Sequence, residues 1–301
     1  MEDFCLQYRA FAKLNLFLHV LGRRKDGYHE IRSLMVTIGL ADTLQFRKTP
    51  SGAVLRCDSP EVPLGKDNLC LAAARSLMEH ADYSGGVEII LSKRIPIAAG
   101  LGGGSSDAAC TLVALNELWQ LRLSLETLET LAGGIGSDVP FFIRGGAQLA
   151  EGRGEKLTRL ESAPELWFVI LSPQARISSK QAYSAARIGL TGVGHEIRMK
   201  NLGMGLDAAS VAGSLQNDLE SGVIGIYPEV RELKDVLLAH GAMGSLMSGS
   251  GPAVFGIARD QTSASEIASG IVRPGLSAFV VRTVQQGSVM LDQGQSTART
   301  T

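Results

Sequence analysis

The alternation of apolar and polar positions is clearest near the start of the chain. From Lys13 to Val20 the sequence reads KLNLFLHV, with Leu14, Leu16, Leu18 and Val20 at every second position. Lys13, Asn15, Phe17 and His19 fall between them. A period of two puts the first set on one face of a strand and the second set on the other. The strand therefore has a core face and a partly polar face, and Lys13 and Asn15 point into the same space. The segment GRRKDGYHE follows as a turn-rich loop, with Gly22 and Gly27 as breakers. Residues 31–57 alternate as further strands. NLCLAAARSLMEH, residues 68–80, changes to helical spacing behind a capping Asp67-Asn68 pair. VEIIL at 87–91 predicts a short strand. The segment from Asp107 predicts a helix, with Leu112, Val113, Leu115 and Trp119 at helical spacing. A run of glycines separates the two, so the order is strand, glycine loop, helix.

A second glycine cluster, Gly133 to Gly136, precedes SDVPFFI. The polar stretch 150–165, which contains Pro164, marks a domain boundary, and LWFVILSP then restarts as a buried strand. A third cluster, GAMGSLMSGSGPAVFGI at 241–257, lies between a helix pattern at 229–240 and a strand pattern. From Gln285 the chain turns polar and reads as loose. The expected division is an N-terminal nucleotide-binding domain over 1–162, a C-terminal domain over 163–290 and a tail over 291–301. No repeat of fixed period is present.

Composition narrows the class of protein. With 301 residues, 45% hydrophobic and 20% charged, the chain is globular and long enough for two cores. Lysine and arginine number 29 against 30 aspartate and glutamate, so no charge excess points to nucleic acid or an anionic membrane. The four cysteines are scattered without a C-x-x-C pair, which argues against zinc or a disulfide framework and for reduced thiols. The start, MEDFCLQYRA, carries acids before any apolar run and is not a secretory signal. The longest apolar runs fall far short of the ~20 residues of a spanning helix. The expectation is a soluble cytoplasmic protein, monomer or homodimer, with a small-molecule substrate.

Glycine is the exception to this ordinary composition. Its 35 copies make about 12% of the chain against a usual ~7%. They gather in PIAAGLGGGSSDAA, Pro96 to Ala109. Glycines let backbone N–H groups approach an anion and permit positive φ. Ser105 and Ser106 add hydroxyls, and the following helix aims its N-terminus at the same place. The run reads as a phosphate cradle. It is not a Walker A loop, because no G-K-[ST] closes it. Ser105 stands where a dinucleotide fingerprint needs its last glycine, and the chain has no H-R-D or D-F-G of protein kinases. A turn that serves only tight packing is the plain alternative. For Asp138, after the second cluster, the alternatives are a general base and a helix cap. Lys13 is read either as a site cation or as an exposed strand lysine, and Lys93 as a nucleotide contact or a solvated strand end.

GLGGGSSDAA, with Lys13-Leu14-Asn15 before it and SGSGPAVF after it, resembles the GHMP kinase superfamily. AKLNLFLHVLGRRKDGYHE, GIGSDVPFF and GAMGSLMSGSGPAVFG extend the similarity in order over roughly residues 10–257. The resemblance implies a two-domain α/β (α+β) fold, an S5-like N-terminal domain and a ferredoxin-like C-terminal domain flanking a cleft. It implies a small-molecule kinase with ATP as co-substrate and Mg²⁺. The GYH segment and the triple glycine point within the superfamily to transfer onto the 2-hydroxyl of a methylerythritol carrying cytidine diphosphate, a step of non-mevalonate isoprenoid synthesis. The alternatives are a homoserine- or mevalonate-type kinase and a non-catalytic nucleotide-binding module. By this resemblance Lys13 and Asp138 are catalytic. Pro96, Ile97, Ala98, Ala99, Gly100, Leu101, Gly102, Gly103, Gly104, Ser105, Ser106 and Asp107, with Asn68 and Lys93, bind the nucleotide. Asn15, Tyr28, His29, Ser179 and Tyr183 bind the substrate, with Tyr28 and Tyr183 as an aromatic sandwich around the base. The metal ligands are not identifiable from sequence.

Overall fold

The computed structural model describes residues 5–161, 164–186 and 207–291. The junction between residues 162 and 163 and the part of the tail from residue 292 onward lie outside these. The chain opens with two long antiparallel strands, β1 (Cys5–Arg23) and β2 (His29–Thr49), paired along nearly their whole length. Their alternation is interrupted at Leu16, because Asn15 faces Met35 while Phe17 faces Leu34. An extra residue on one strand shifts the parity of everything after it. Phe17 consequently joins Leu14 and Leu16 in one apolar cluster, and Leu18 and Val20 move to another. The polar face expected over Lys13–His19 is thus cut to Lys13 and Asn15, and Phe17 is core.

The remaining elements are β3 (Gly52–Cys57), α1 (Leu69–His80), β4 (Gly86–Ser92), α2 (Gly103–Leu118), α3 (Leu125–Ile135), α4 (Val139–Arg144), β5 (Ala147–Gly152) and β6 (Lys156–Arg159). After them come β7 (Trp167–Pro173), α5 (Ser179–Ala185), α6 (Ala208–Ala212), β8 (Gln216–Asn217), α7 (Glu220–Ile226), α8 (Glu229–Ala239), β9 (Gly244–Met247), β10 (Val254–Ala258), α9 (Gln261–Gly270), β11 (Leu276–Arg282) and β12 (Ser288–Met290). β2 pairs with β5 through Ile31–Val36 and with β4 through Thr43–Thr49, so one long strand serves two partners on the same edge. The first sheet runs β12-β1-β2-β4-β3, with β5 and β6 continuing from β2 and β8 against β1. Helices α1 to α4 cover it through a core that includes Phe46, Leu77, Leu115 and Phe141.

The second sheet runs β11-β7-β10-β9, all antiparallel. With α8 before β9 and α9 before β11, this is the β-α-β-β-α-β order of a ferredoxin-like unit. The two sheets share a core in which Leu14, Leu16 and Val36 meet Phe168, Ile170 and Phe255. That shared core fixes one sheet against the other.

The segment after Gln285, expected to be loose, is instead built in. Ser288–Met290 pair with Tyr8–Ala10, the Phe11 N–H donates to the Gly287 carbonyl at 3.0 Å, and the Leu291 N–H donates to the Gln7 carbonyl at 2.8 Å. The edge of β1 needs these partners, since its N–H and C=O groups are buried there. β8 and β12, both beyond residue 163, therefore belong to the first sheet.

Gly287 lies so close to the Phe142 backbone that an added Cβ would overlap the Phe142 carbonyl. Gly287→Ala should cost about 1–3 kcal/mol, as overpacking against backbone does. Gly133 lies in α3 with nothing near the position of a Cβ, so Gly133→Ala should stabilise by about 0.5–1 kcal/mol through helix propensity. Urea unfolding of both variants checks the pair, and equal shifts would contradict the packing assigned to the return segment.

Candidate active site

The glycine run folds as a tight turn that flows directly into α2. Gly100 and Gly102 take φ of 80° and 74°, and the helix starts at Gly103 rather than at Asp107. Gly103, Gly104 and Ser105 are therefore first-turn residues, whose N–H groups have no partner within the helix. The Lys13 N–H donates to the Leu101 carbonyl at 3.0 Å, which ties the turn to the edge of β1. A Cβ on Gly100 would overlap the Ser248 carbonyl, and one on Gly102 would lie 2.7 Å from the Phe142 ring and 3.1 Å from Lys13 Cγ. The turn is glycine because three chain segments converge on it.

Pro96 to Ser105 all line a cavity of about 1230 Å³ between the two halves of the fold. Ser105 faces this cavity, but Ser106 does not. One residue further round the helix, Ser106 is buried and its hydroxyl donates to the Phe11 carbonyl at 2.6 Å. Expected to join the cradle, Ser106 instead pins α2 to β1. Asn68 also borders the cavity, with its side chain committed to capping α1: Oδ1 accepts from the Cys70 N–H at 2.8 Å.

Lys93 and Asp107 meet at the same end of the cavity, and Asp42 completes the group. Lys93 Nζ donates to Asp42 and, at 2.9 Å, to Asp107 Oδ2. Asp42 Oδ1 accepts from the backbone N–H groups of Arg94 at 2.5 Å and Ile95 at 2.9 Å. Asp42 therefore clamps the strand end from which the glycine turn departs. Lys93 is no solvated strand end, since its side chain is 8% exposed. Burial disfavours its ammonium, but the two flanking carboxylates outweigh that and raise its pKa. Asp42 was not among the residues singled out from sequence. Its signal is a lone acid, GLADTL, inside an apolar strand pattern.

The third group surrounds Lys13. Lys13 Nζ donates to Asn15 Oδ1, Asn15 Nδ2 donates to Ser33 Oγ at 2.8 Å, and Ser33 donates to the Phe17 carbonyl at 2.6 Å. The Phe17 carbonyl and the Lys13 side chain are thus linked across the irregularity at Leu16. Burial lowers the Lys13 pKa, while the Asp138 charge pulls it back up. Asp138 begins α4 yet makes no capping hydrogen bond, and it lines the cavity. Nor does a glycine turn carry it: Gly133 and Gly134 complete the last turn of α3, and only Gly136 is extended.

The Asp138 charge acts on Lys13 and also at the aromatic end. The Tyr183 hydroxyl has its pKa raised by burial and, further, by the Asp138 charge. Tyr183 stacks on His29 at 4.8 Å between centroids and 14° between planes. Tyr28 lines the same cavity as Tyr183. It is 53% exposed, with the Arg153 guanidinium 4.9 Å from its centroid. Ser179 opens α5, its hydroxyl 3.4 Å from that of Ser250 in the late glycine cluster. Lys13 packs at Gly102, the Asp138 charge acts on both Lys13 and Tyr183, and Tyr183 stacks on His29, all in the lining of the cavity. Arg153 and Ser250 also line the cavity and were not anticipated, although Arg153 stands out between two glycines in EGRGE.

Burial, assisted by Asp42 and opposed by Lys93, pushes the Asp107 carboxyl up to about 8. A raised native pKa means that the folded chain holds a proton that the unfolded chain releases near 4. The contribution is complete below that value and is lost as pH rises through about 8. Asp107→Asn, neutral at every pH, should flatten the stability profile between pH ~4 and ~8. Urea midpoints across that range measure it, and parallel curves for the two proteins would refute the shift.

Residues 68–146 match the family described as GHMP kinases N terminal domain, and residues 197–275 match GHMP kinases C terminal. The chain is 44% identical over 277 residues to the 4-diphosphocytidyl-2-C-methyl-D-erythritol kinase of Pelotomaculum thermopropionicum, covering 91% of this chain and 96% of that one. Its identity to the enzyme of the same name from Gloeobacter violaceus is 39%, covering 97% and 98%. A crystal structure of a 4-(cytidine 5'-diphospho)-2C-methyl-D-erythritol kinase superposes with a TM-score of 0.78 at 37% identity, covering 92% of this chain and 98% of that one. Homoserine kinase from Cytophaga hutchinsonii shares the fold at the same TM-score and 20% identity. With both GHMP domains matched in order and relatives this similar along nearly the whole length, the chain belongs to the GHMP kinases, in the family of the 4-diphosphocytidyl-2-C-methyl-D-erythritol kinases.

Proposed function

We propose that this kinase transfers the γ-phosphoryl group of ATP to the 2-hydroxyl of 4-diphosphocytidyl-2-C-methyl-D-erythritol, giving ADP and the 2-phosphate, in isoprenoid precursor synthesis. The observation that carries the reading is one continuous cavity with two unlike ends. The glycine turn and the N-terminus of α2 border one end and Tyr28, His29 and Tyr183 the other, with Lys13 and Asp138 in the same lining and the Asp138 charge acting on both Lys13 and Tyr183. Triphosphate suits the first end, because first-turn N–H groups and a helix dipole favour anions. A pyrimidine suits the second, because rings stack on its face. His29 has its pKa lowered by burial and by Arg23, so it is neutral near pH 7 and offers one donor and one acceptor to a base edge. In the bound state the cytosine inserts beside Tyr183, where His29 now stacks.

Asp138 is the base of this reading. As the acceptor oxygen bonds to the γ-phosphorus and the bond to the ADP oxygen breaks, the hydroxyl proton passes to the Asp138 carboxylate. The Lys13 side chain, held by Asn15, offsets charge on the transferring oxygens. Lys93 and Asn68 shape the nucleotide end, Asn15 and Ser179 the acceptor end. Among the described residues no three acidic, histidine or cysteine side chains are grouped to hold a metal. That fits Mg²⁺, which binds through one or two protein oxygens together with phosphates and water. Ser105 would hold it from the cavity wall, and the ion would supply neutralisation of phosphate charge.

Division of labour follows the chain, with nucleotide contacts drawn mainly from residues 1–162 and the unit over 163–290 closing the cleft. No helix among the described residues is long and apolar enough to cross a membrane, and Cys57, Cys70 and Cys110 are free, which supports assignment to the cytoplasm.

Asp138→Asn preserves shape and removes the base, so kcat should fall ~10²–10⁴-fold. Binding of a non-hydrolysable ATP analogue should stay unchanged. Steady-state kinetics with the cytidylyl substrate, paired with calorimetry for the nucleotide, tests this. A variant that keeps more than about half of the wild-type kcat, well above the loss expected of a base, removes Asp138 from the mechanism.

A further inference from the structure

The turn between β5 and β6 brings a cation to a place that the roles above leave unassigned. Arg153 projects its guanidinium over Tyr28, with Cζ 4.9 Å from the ring centroid. The next residue reaches the other reacting group, since a Cβ built on Gly154 would lie 3.9 Å from Asp138 Oδ1. The turn is held from within. The Arg153 N–H donates to the Glu155 carboxylate at 2.5 Å, and the Gly154 N–H donates to the Glu151 carbonyl at 3.1 Å. Gly152 and Gly154 take φ of 75° and 113°, so both flanks need glycine. Residue 153 is thereby fixed between the aromatic end and the proton-accepting carboxylate.

The acceptor proposed above has its parts in the same order: a pyrimidine, then a diphosphate, then the alcohol. We infer that Arg153 determines acceptor specificity by binding the diphosphate that joins cytidine to the alcohol, so that the enzyme selects nucleoside-diphosphate-linked alcohols over free ones. This inference rests on the acceptor assigned under Proposed function. Stacking on Tyr28 sets the plane of the guanidinium and leaves its edge N–H donors for an anion. A planar fork of donors matches two phosphate oxygens. The acid that the Arg153 charge reaches, Asp26, is engaged elsewhere: it accepts from Arg24 Nε and from the Tyr28 N–H, each at 3.1 Å. The other cavity cations are differently placed. Lys13 and Lys93 are buried against Asn15, Asp42 and Asp107, whereas Arg23 and Lys180 line the wall and serve as controls.

The test is calorimetric titration of the full chain with cytidine and with CDP, in the presence of a saturating non-hydrolysable ATP analogue that keeps both out of the nucleotide end. Wild-type protein should bind CDP about tenfold or more tightly than cytidine, the worth of a charge-assisted contact. Arg153→Gln should bind cytidine within a few-fold of wild type and lose that preference, while Arg23→Gln and Lys180→Gln keep it. In turnover, Arg153→Gln should raise the acceptor KM by a similar factor with kcat and the ATP KM little changed. Arg153→Lys, with charge but no fork, should fall between. An Arg153→Gln protein that keeps the CDP preference overturns the inference. So does one that loses cytidine and CDP equally, which would make Arg153 a builder of the pocket alone. A wild-type protein that binds neither ligand overturns the acceptor reading itself, and the inference with it.

Discussion

Everything in the cavity depends on how closely three stretches of backbone approach one another beside β1. Gly100 has no room for a Cβ because the Ser248 carbonyl occupies that space, and the Ser248 hydroxyl donates back to the Gly100 carbonyl at 3.0 Å. The Ala253 N–H donates to the Ala99 carbonyl at 3.2 Å, and a Cβ on Gly249 would lie 2.9 Å from Lys13 Nζ. The edge of β1 is shared out in sequence: β12 takes Tyr8–Ala10, Gly287 takes Phe11, Leu101 takes Lys13 and β8 takes Phe17–Leu18. Lys13 and Asn15 thus emerge where the edge passes from the glycine turn to β8. The late glycine cluster is in this sense part of the phosphate turn, with one half of the fold supplying the wall against which the other half is folded.

The two buried lysines of the cavity show how surroundings divide one residue type into two functions. Lys93 stands between two carboxylates, and its ammonium is favoured in spite of burial. It is a fixed charge. Lys13 has an amide as its hydrogen-bonded partner and a carboxylate only at longer reach, so burial dominates and its pKa drops. A lysine in that condition responds to what enters the cavity, because each added negative charge shifts its balance. The fixed cation lies at the nucleotide end and the responsive one beside the reacting groups.

Local patterns made the large elements legible from sequence. Alternation gave β1 and β2, helical spacing with an Asn cap gave α1, and the glycine run announced an anion site. What failed did so where a residue's direction depends on distant partners. Leu16 interrupts the alternation, which no count of apolar positions reveals, and it moves Phe17 off the polar face. Ser105 and Ser106 are equivalent in sequence but differ by a step around a helix, so only one of them faces the cavity. Asp42 and Arg153 reach their places by pairings between remote strands, and their local context carries only a faint mark. Tyr28 and His29 stand side by side in sequence, yet it is His29 whose ring meets Tyr183, while Tyr28 lies under Arg153.

The return of Ser288–Met290 to β1 has a consequence for how the protein is made. Tyr8 is synthesised about 280 residues before its partner in the sheet, Met290. Until then the edge of β1 presents open N–H and C=O groups, a template on which another nascent chain can pair. β8, which covers the middle of that edge, also arrives late. The N-terminal half, although it carries the glycine turn and both lysines, therefore cannot finish its own sheet before β8 and β12 have been made. Its last hydrogen bonds close only after the second sheet has been made, so the fold completes as a whole and not one half after the other.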